Sequence, residues 1–344
     1  MQLYNKHSAE ERARIIDENS QERITLSFYK YFKLGNPELF RDYLFFVWSK
    51  LDILGRIYVA NEGINAQISV PNENYNKFEK SIEEITPLNG IRLNLAVEHY
   101  NKSFLKLTIK VREKIVADGL DDKSFDVTQI GDHLNAKEFN KMLNDNNTVC
   151  IDMRNHYESE IGFFKGAVKP DVDTFRESLE VIDEQLEQNG KDKNYLMYCT
   201  GGIRCEKASA YLKHKGVDNV FQLEGGIIEY TRQVKKNKLK NNFLGKNFVF
   251  DERKSERISE EVVSSCHQCG TPADTHVNCA NVACHLLFIQ CRKCQEKMNT
   301  CCSDDCKKTI QLSYEEQKTL RKGKQNSNKI FKKGRASHIK FNQH

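Results

Sequence analysis

Nine of the twelve cysteines in this chain fall between Cys266 and Cys306, in the groups Cys266-x2-Cys269, Cys279-x4-Cys284, Cys291-x2-Cys294 and Cys301-Cys302-x3-Cys306. A segment of about 40 residues cannot enclose enough apolar surface to fold by itself, so cross-links must supply the missing free energy. Paired Cys-x2-Cys units at this density are metal spacing rather than a disulfide or iron–sulfur framework. Eight thiolates complete two tetrahedral zinc sites of four cysteines each, and one cysteine, Cys301 or Cys302, is left over. We expect Cys266, Cys269, Cys279, Cys284, Cys291, Cys294, Cys302 and Cys306 as ligands, with His267, His276 and His285 able to replace a thiolate. Zinc is redox-inert, so both ions are expected to be structural; spacing leaves open which pairs share an ion.

The start of the chain, Met1 to His7, lacks the apolar core of an export signal, and no apolar run is long enough to span a membrane. A soluble, cytoplasmic protein in a reducing compartment is therefore expected, which suits thiolates better than disulfides. With 344 residues the chain exceeds one average domain, and two or three are expected. The net charge of +5 is unevenly spread, since residues 307–344 carry eleven Lys/Arg against two Glu. Few apolar residues accompany them, so residues 311–344 are expected to form a disordered basic tail, either merely solvated or suited to a polyanion.

Hydrophobic patterning organises the rest. After a polar leader, 1–20, strands are predicted over Ile24–Phe32, Gly55–Ala60, Ile64–Val70, Arg92–Val97 and Leu105–Val111, with helices over Pro37–Leu51 and Tyr75–Ile85. That order, β-α-β-β-α-β with one extra strand, predicts a ferredoxin-like (acylphosphatase-like) α+β domain over 21–118. Asn61-Glu62-Gly63 reads as a tight hairpin with Gly63 at positive φ, and a substrate contact there is a lesser possibility. A second domain, 125–238, is expected to begin with a short strand and a helix capped by Asn135. Strands at Val149–Arg154, Tyr195–Tyr198 and Val220–Leu223, separated by helices at Thr174–Gln188 and Glu206–Lys215, predict a parallel sheet covered on both faces. The polar, basic stretch 239–262 is expected to be a surface linker to a Cys-rich zinc-binding segment, 263–310.

Within the second domain, Cys199-Thr200-Gly201-Gly202-Ile203-Arg204-Cys205 joins a predicted strand to a predicted helix. A cysteine at such a turn directs its sulfur at backbone N–H groups and a helix N-terminus, and Arg204 adds a fixed positive charge. Cys199 is therefore the expected nucleophile, at the carboxyl end of a parallel strand, where open sheets place their sites. Burial of Cys199 as a small apolar residue is the plainer alternative, but it gives the two glycines and Arg204 no purpose. The Cys-x4-Arg loop is tighter than the Cys-x5-Arg phosphate cradle of tyrosine phosphatases, so it suits a sulfur or oxygen substituent better than phosphate. Cys205 is either a second redox thiol or a packing residue at the helix start.

These motifs resemble the rhodanese domain. Ile151 to Glu158 (IDMRNHYE) looks like its Asp-x-Arg strand-end motif, Gly166-Ala167 its small-residue turn, Cys199 to Arg204 its active loop, and Leu223-Glu224-Gly225-Gly226 its closing motif. Asp152 and Arg154 would then be a supporting salt bridge behind the loop. Where rhodaneses usually carry Gly-His-Ile, this chain has Gly162-Phe163-Phe164, a departure that touches a local hydrogen bond and not the nucleophile. Taken with Val59 to Asn65 (VANEGIN), CTGGIRCEKA at Cys199 to Ala208 and CHQCG from Cys266, the chain over roughly residues 20 to 310 is similar to the bacterial tRNA uridine hydroxylases. The resemblance implies oxygen-dependent hydroxylation at C5 of the wobble uridine, position 34, giving 5-hydroxyuridine. It implies molecular oxygen as co-substrate, an electron donor it does not specify, and the tRNA anticodon loop as partner, with no DNA and no membrane.

Under that implication the Cys199 thiolate either adds to C6 of the pyrimidine or carries an oxidised sulfur, and both remain open. Lys235, Lys236, Lys238 and Lys240, with Arg321 to Lys324 and Lys332 to Arg335, are candidates for tRNA phosphates. Phe243, Phe248 and Phe250 are expected to pack on the second domain rather than stack on bases. Two other functions fit parts of the chain: a rhodanese-type sulfurtransferase carrying a Cys199 persulfide, and a non-catalytic zinc-containing RNA-binding protein. An intact Cys-x4-Arg loop argues against the latter.

Overall fold

A computed structural model describes residues 5–119, 126, 128–322 and 339. The N-terminal domain holds helix α1 (Ala9–Glu18), β1 (Arg23–Tyr31), α2 (Pro37–Ser49), β2 (Leu54–Ala60), β3 (Gly63–Pro71), α3 (Tyr75–Glu84), β4 (Asn94–Leu95) and β5 (Leu107–Val111). Its sheet order is β4-β1-β3-β2-β5, the ferredoxin-like arrangement with β5 added parallel to β2. Leu44 and Trp48 of α2 and Phe78 and Ile82 of α3 close one face against Leu26, Phe28, Ile57 and Ile68. The β2–β3 hairpin turns at Asn61-Glu62, and Gly63 has φ +143° with Lys30 O only 2.1 Å from where a Cβ would stand.

Two expectations in this domain need correction. The leader is not merely polar: a Ser8–Glu11 capping box starts α1, which buries Ile16 against Leu54 and Phe104. The strand expected over Arg92–Val97 shrinks to two residues. Its continuation turns away because the N–H groups of Val97 and Glu98 donate to the Glu256 carboxylate, at 3.0 and 3.4 Å, instead of to β1.

The central domain runs β6 (Asp132–Leu134), α4 (Ala136–Leu143), β7 (Thr148–Asp152), α5 (His156–Ser159), β8 (Gly162–Phe164), α6 (Phe175–Asn189), β9 (Asn194–Tyr198), α7 (Ile203–His214), β10 (Val220–Leu223) and α8 (Gly226–Asn237). Asn135 caps α4 as expected. The sheet is parallel in the order β6-β10-β9-β7. Strand β9 shows why both faces are apolar: Tyr195 and Met197 meet α6 and α7, whereas Leu196 and Tyr198 meet α4 and α8.

The remaining elements are β11 (Phe243–Phe248), β12 (Ser255–Arg257), β13 (His276–Asn278), β14 (Leu287–Ile289), α9 (Arg292–Met298), α10 (Asp304–Thr309) and α11 (Tyr314–Arg321). The stretch expected to be a surface linker is instead structural. Strand β11 pairs antiparallel with β8, Phe243 opposite Phe164 and Gly245 opposite Gly162, and β12 adds to its other edge. Phe243 is fully buried and edge-on to Phe164 at 5.2 Å, which the Lys- and Asn-rich sequence around it masks. The tail expected to be disordered from 311 contains α11, opened by a Ser313–Glu316 capping box; the basic candidates Lys324 and Lys332 to Arg335 lie outside the described residues.

Candidate active site and cysteine clusters

Strand β9 delivers Cys199 to a four-residue turn that enters α7. The turn is pinned from behind by α8, whose Ile227 and Ile228 N–H groups donate to the carbonyls of Cys199 and Thr200 at 3.0 and 3.3 Å. Gly202 takes φ +103°, which only glycine adopts readily, and so aims its N–H at Cys199 Sγ, 3.1 Å away. Helix α7 begins at Ile203, not at Glu206 as the sequence pattern suggested, so Arg204 and Cys205 sit in its first turn. Burial pushes the Cys199 thiol up, but a hydrogen bond from Cys205, the Arg204 guanidinium and the N–H groups of Arg204 and Gly202 together bring it down to about 6. Cys205 is wholly buried, and burial with the neighbouring Cys199 thiolate raises its own thiol far above the ordinary value. It therefore stays protonated and acts as a donor to Cys199.

Arg204 is not a free charge. Its Nη1 and Nη2 donate to the two carboxylate oxygens of Glu158 at 2.7 and 2.8 Å, and Glu158 is fully buried. Thr200 Oγ1 reaches the same carboxylate at 3.4 Å. Asp152 and Arg154 form a second buried pair one layer back, with Arg154 Nε and Nη2 on Asp152 at 2.9 and 2.6 Å. Tyr198, the residue before Cys199, donates to Asp152 at 2.7 Å, and Arg154 also donates to Gly162 O at 2.6 Å. Phe164 fills the space beside them with rings of Phe139, Tyr198, Tyr230 and Phe243 around it. Sequence reasoning missed Glu158 as a partner of Arg204. Its only signal was a carboxylate four residues beyond Arg154 in a stretch otherwise bound for the interior.

The N-terminal domain covers the loop, which sequence reasoning also missed. Tyr29 Oη donates to Glu206 at 2.9 Å and lies where a Cβ on Gly202 would be, 2.7 Å away. Glu206 also meets His133 Nε2 at 3.1 Å and Gln222 Nε2 at 3.3 Å. Burial and the Glu206 carboxylate hold the Tyr29 phenol well above its ordinary range, so it remains a donor. Tyr31 Oη reaches Ile203 O at 3.4 Å, Asn94 Nδ2 reaches Gly201 O at 3.5 Å, and buried Lys207 binds both Glu62 and Asp118. Glu62 of the hairpin thus serves an ion pair within the chain. With these contacts in place Cys199 is 1% exposed.

The eight cysteines expected as ligands fall into two groups, Cys266, Cys269, Cys291 and Cys294, and Cys279, Cys284, Cys302 and Cys306, each with its sulfurs within 4.8 Å of one another. The first and third pairs share one group and the second and fourth the other, a crosswise arrangement that no spacing rule specified. Sulfur separations of 3.6 Å for Cys269–Cys291, 3.6 Å for Cys284–Cys302 and 3.8 Å for Cys302–Cys306 match the edge of a tetrahedron with metal–sulfur bonds of about 2.3 Å. Two metal ions fit these donor sets. Cys301, though buried, belongs to neither group, and the three histidines are used elsewhere: His267 binds Glu160 at 2.6 Å, His276 is buried against Phe248, and His285 meets Asn278.

Lys235 and Lys236 lie in the last turn of α8, Lys238 at its C-cap and Lys240 just beyond, all exposed. The N-terminus of that helix holds the Cys199 loop, so Lys235 and Lys236 stand about 13 Å along the helix axis from it, with Lys238 and Lys240 farther on. Phe243 and Phe248 are buried, and Phe250 packs on Phe248 at 5.2 Å, so these rings serve the interior. Among the described residues no helix is long and apolar enough to cross a membrane.

Three family models match in succession: a UPF0176 acylphosphatase like domain over residues 23–115, a rhodanese-like domain over 135–233 and a "Rhodanase C-terminal" model over 244–307. A tRNA uridine(34) hydroxylase of Hamiltonella defensa is 52% identical over 334 residues, 97% of this chain and 94% of that one. Its counterparts in Yersinia enterocolitica and Leptospira interrogans are 53% and 51% identical, each over 97% of this chain and 95% and 90% of theirs. Among solved structures, a rhodanese-like domain protein from Staphylococcus aureus aligns with 29% of this chain and 90% of its own at 25% identity and a TM-score of 0.24.

Proposed function

Since the chain belongs to the tRNA uridine(34) hydroxylase family, about half identical to its members over nearly its whole length, we propose that it hydroxylates the wobble uridine of tRNA with Cys199 as the nucleophile. The observation that carries this reading is the Gly202 N–H on Cys199 Sγ in a buried loop whose thiol titrates near 6. At neutral pH that sulfur is a thiolate in a dry site, which is the condition for addition to an electron-poor ring carbon. Addition at C6 of uracil leaves C5 electron-rich, able to accept oxygen. Loss of the C5 proton and departure of the thiolate then restore the pyrimidine as 5-hydroxyuridine. With molecular oxygen as co-substrate, one oxygen atom enters C5 and the other leaves as water, so two electrons must come from a reductant outside the chain.

The residues around the loop have separable tasks. Cys205 and the Gly202 N–H hold the thiolate, Arg204 lowers its pKa, and Glu158 fixes the guanidinium. The Asp152–Arg154 pair positions Tyr198 and with it the end of β9. Zinc is the ion the two all-cysteine clusters suit, and its role is to fold residues 266–306 rather than to take part in oxidation. Lys235, Lys236, Lys238 and Lys240 provide charge for the phosphates of an anticodon stem-loop, whose unpaired uridine needs little unstacking to be presented. The family's tRNA substrate supports a cytoplasmic location.

Nucleoside mass spectrometry of tRNA from cells carrying wild type or Cys199→Ser tests the reading. Loss of 5-hydroxyuridine in the variant is expected, and unchanged 5-hydroxyuridine overturns it. Enzymatic uptake of cyanide-removable sulfur from thiosulfate, with no RNA oxidation, would establish the sulfurtransferase instead.

A further inference from the structure

Asn94 stands on the short strand β4, opposite Ser27 of β1, and is 3% exposed. Its Nδ2 donates to Gly201 O at 3.5 Å, while its Oδ1 is buried with no hydrogen-bond partner among the described residues. Reversing the amide would set Oδ1 against the Gly201 carbonyl, acceptor facing acceptor, so the donor end belongs to the loop and the acceptor end is left over. A buried acceptor without a donor is unfavourable, and each such group needs an explanation. Asn94 Nδ2 and Ser27 Oγ both lie within 4 Å of where a Cβ on Gly201 would stand, so they sit directly on the glycine pair that follows Cys199. The strand that carries Asn94 is only two residues long, yet it is held: Ala96 N–H donates to Thr25 O, and Glu256 takes the N–H groups of Val97 and Glu98.

We propose that Asn94 reads the substrate base, its Oδ1 accepting the N3–H of uracil. This rests on the reading that the uridine ring is placed over Cys199. N3 lies across the ring from C6, so a ring whose C6 meets the sulfur turns its N3–H away from the thiolate, and the elements that meet the turn at Gly201 and Gly202 are β1, through Ser27 and Tyr29, and β4, through Asn94. Both Cys199 and Asn94 are closed off in this state, and the base enters by parting the seam between them. Among the polar contacts across that seam, Tyr31 to Ile203 O and Asn94 to Gly201 O are long, at 3.4 and 3.5 Å, whereas Tyr29 to Glu206 and Lys207 to Glu62 are of ordinary length at 2.9 and 2.8 Å. Cytosine has a lone pair at N3 where uracil has a proton, so the same oxygen repels it. The N-terminal domain thereby supplies specificity to a nucleophile carried by the central domain, and Asn94 is a recognition residue rather than a reacting one.

The test uses full-length, metal-loaded protein and anticodon stem-loops that differ only at position 34, carrying uridine, cytidine or 3-methyluridine. Binding is read by fluorescence anisotropy, which does not depend on turnover. Wild type is expected to bind the uridine stem-loop about tenfold to a hundredfold tighter than the other two. Asn94→Leu should bind all three alike. Equal binding of uridine and 3-methyluridine by wild type overturns the proposal without any variant having to fold. A full uridine preference in Asn94→Leu overturns it as well. Failure of Cys199→Ser to abolish 5-hydroxyuridine would refute the nucleophile separately, because it leaves these binding ratios untouched.

Discussion

Both oxygens of the Glu158 carboxylate lie on the Arg204 guanidinium, at 2.7 and 2.8 Å, in a pocket that excludes water. The pair does two things at once. It neutralises a carboxylate that could not be buried alone, burial alone pushing its pKa up and Arg204 bringing it below the ordinary value. It also holds the guanidinium where its charge reaches Cys199.

Removing one partner separates these roles. Glu158→Gln should destabilise the fold by about 3 to 5 kcal/mol, because Arg204 is left buried without its counter-charge. Where the variant still folds, the Cys199 thiol should titrate lower than in wild type, since the guanidinium charge is no longer shared. Arg204→Ala should raise it instead. Urea unfolding and the pH dependence of iodoacetamide labelling read the two effects independently, and a Glu158→Gln thiol that titrates higher would contradict this account.

The thiol itself makes a pH prediction. Its folded value of about 6 lies below an ordinary value of 9.0. A group depressed on folding contributes stability in full above its unfolded pKa and loses it as pH falls to its folded pKa. Wild type should therefore gain on Cys199→Ser as pH rises from 6 to 9, by on the order of 4 kcal/mol, with no such gain below pH 6. Labelling of Cys199 should reach half its maximal rate near pH 6. Paired denaturant titrations of the two proteins across this range measure the difference directly.

The crosswise clusters predict how metal leaves. Two zinc ions per chain are expected by atomic emission. Cys294→Ser and Cys284→Ser should each lower the content toward one and loosen the remaining site, because each cluster brackets a strand or turn that the other also holds. Cys301→Ala should keep both ions and cost about 1 kcal/mol for the small void. A Cys301→Ala protein with one ion would show that the fourth ligand had been misassigned.

The exposed lysines after α8 predict a salt effect. Replacing Lys235 and Lys236 by alanine should raise KM for tRNA and leave kcat unchanged. The log–log dependence of binding on salt should become shallower by about 0.7 to 0.9 for each phosphate that is no longer neutralised. An unchanged slope would exclude these residues from the RNA interface.

What could be read from the sequence was local. The strand before Cys199, the glycine pair after it and the Asn135 cap are each specified by residues within a few positions, and the structure has them. The ferredoxin-like order followed from alternating apolar periods in the same way. What escaped was long-range. Glu158 meets Arg204 across 46 residues, and Tyr29 meets Glu206 across 177. Nothing in either neighbourhood encodes the partner, because an ion pair or a phenol–carboxylate bond is chosen by topology and not by propensity. Strand β11 was hidden for a related reason: Gly245, Lys246 and Asn247 interrupt its apolar residues, and Phe243 finds its face only when β8 is beside it.

The pairing of β11 with β8 sets how short a piece of this chain can be and still close its sheet edges. A gene fragment ending with α8 would encode every residue of the Cys199 loop and its helices, yet it would release the Gly162–Phe164 edge that Phe243 to Gly245 normally closes. An open edge invites pairing between copies, so such a fragment would tend to aggregate. The smallest stretch of this chain that carries the loop with the edges of both β8 and β11 paired thus extends through Arg257, the end of β12.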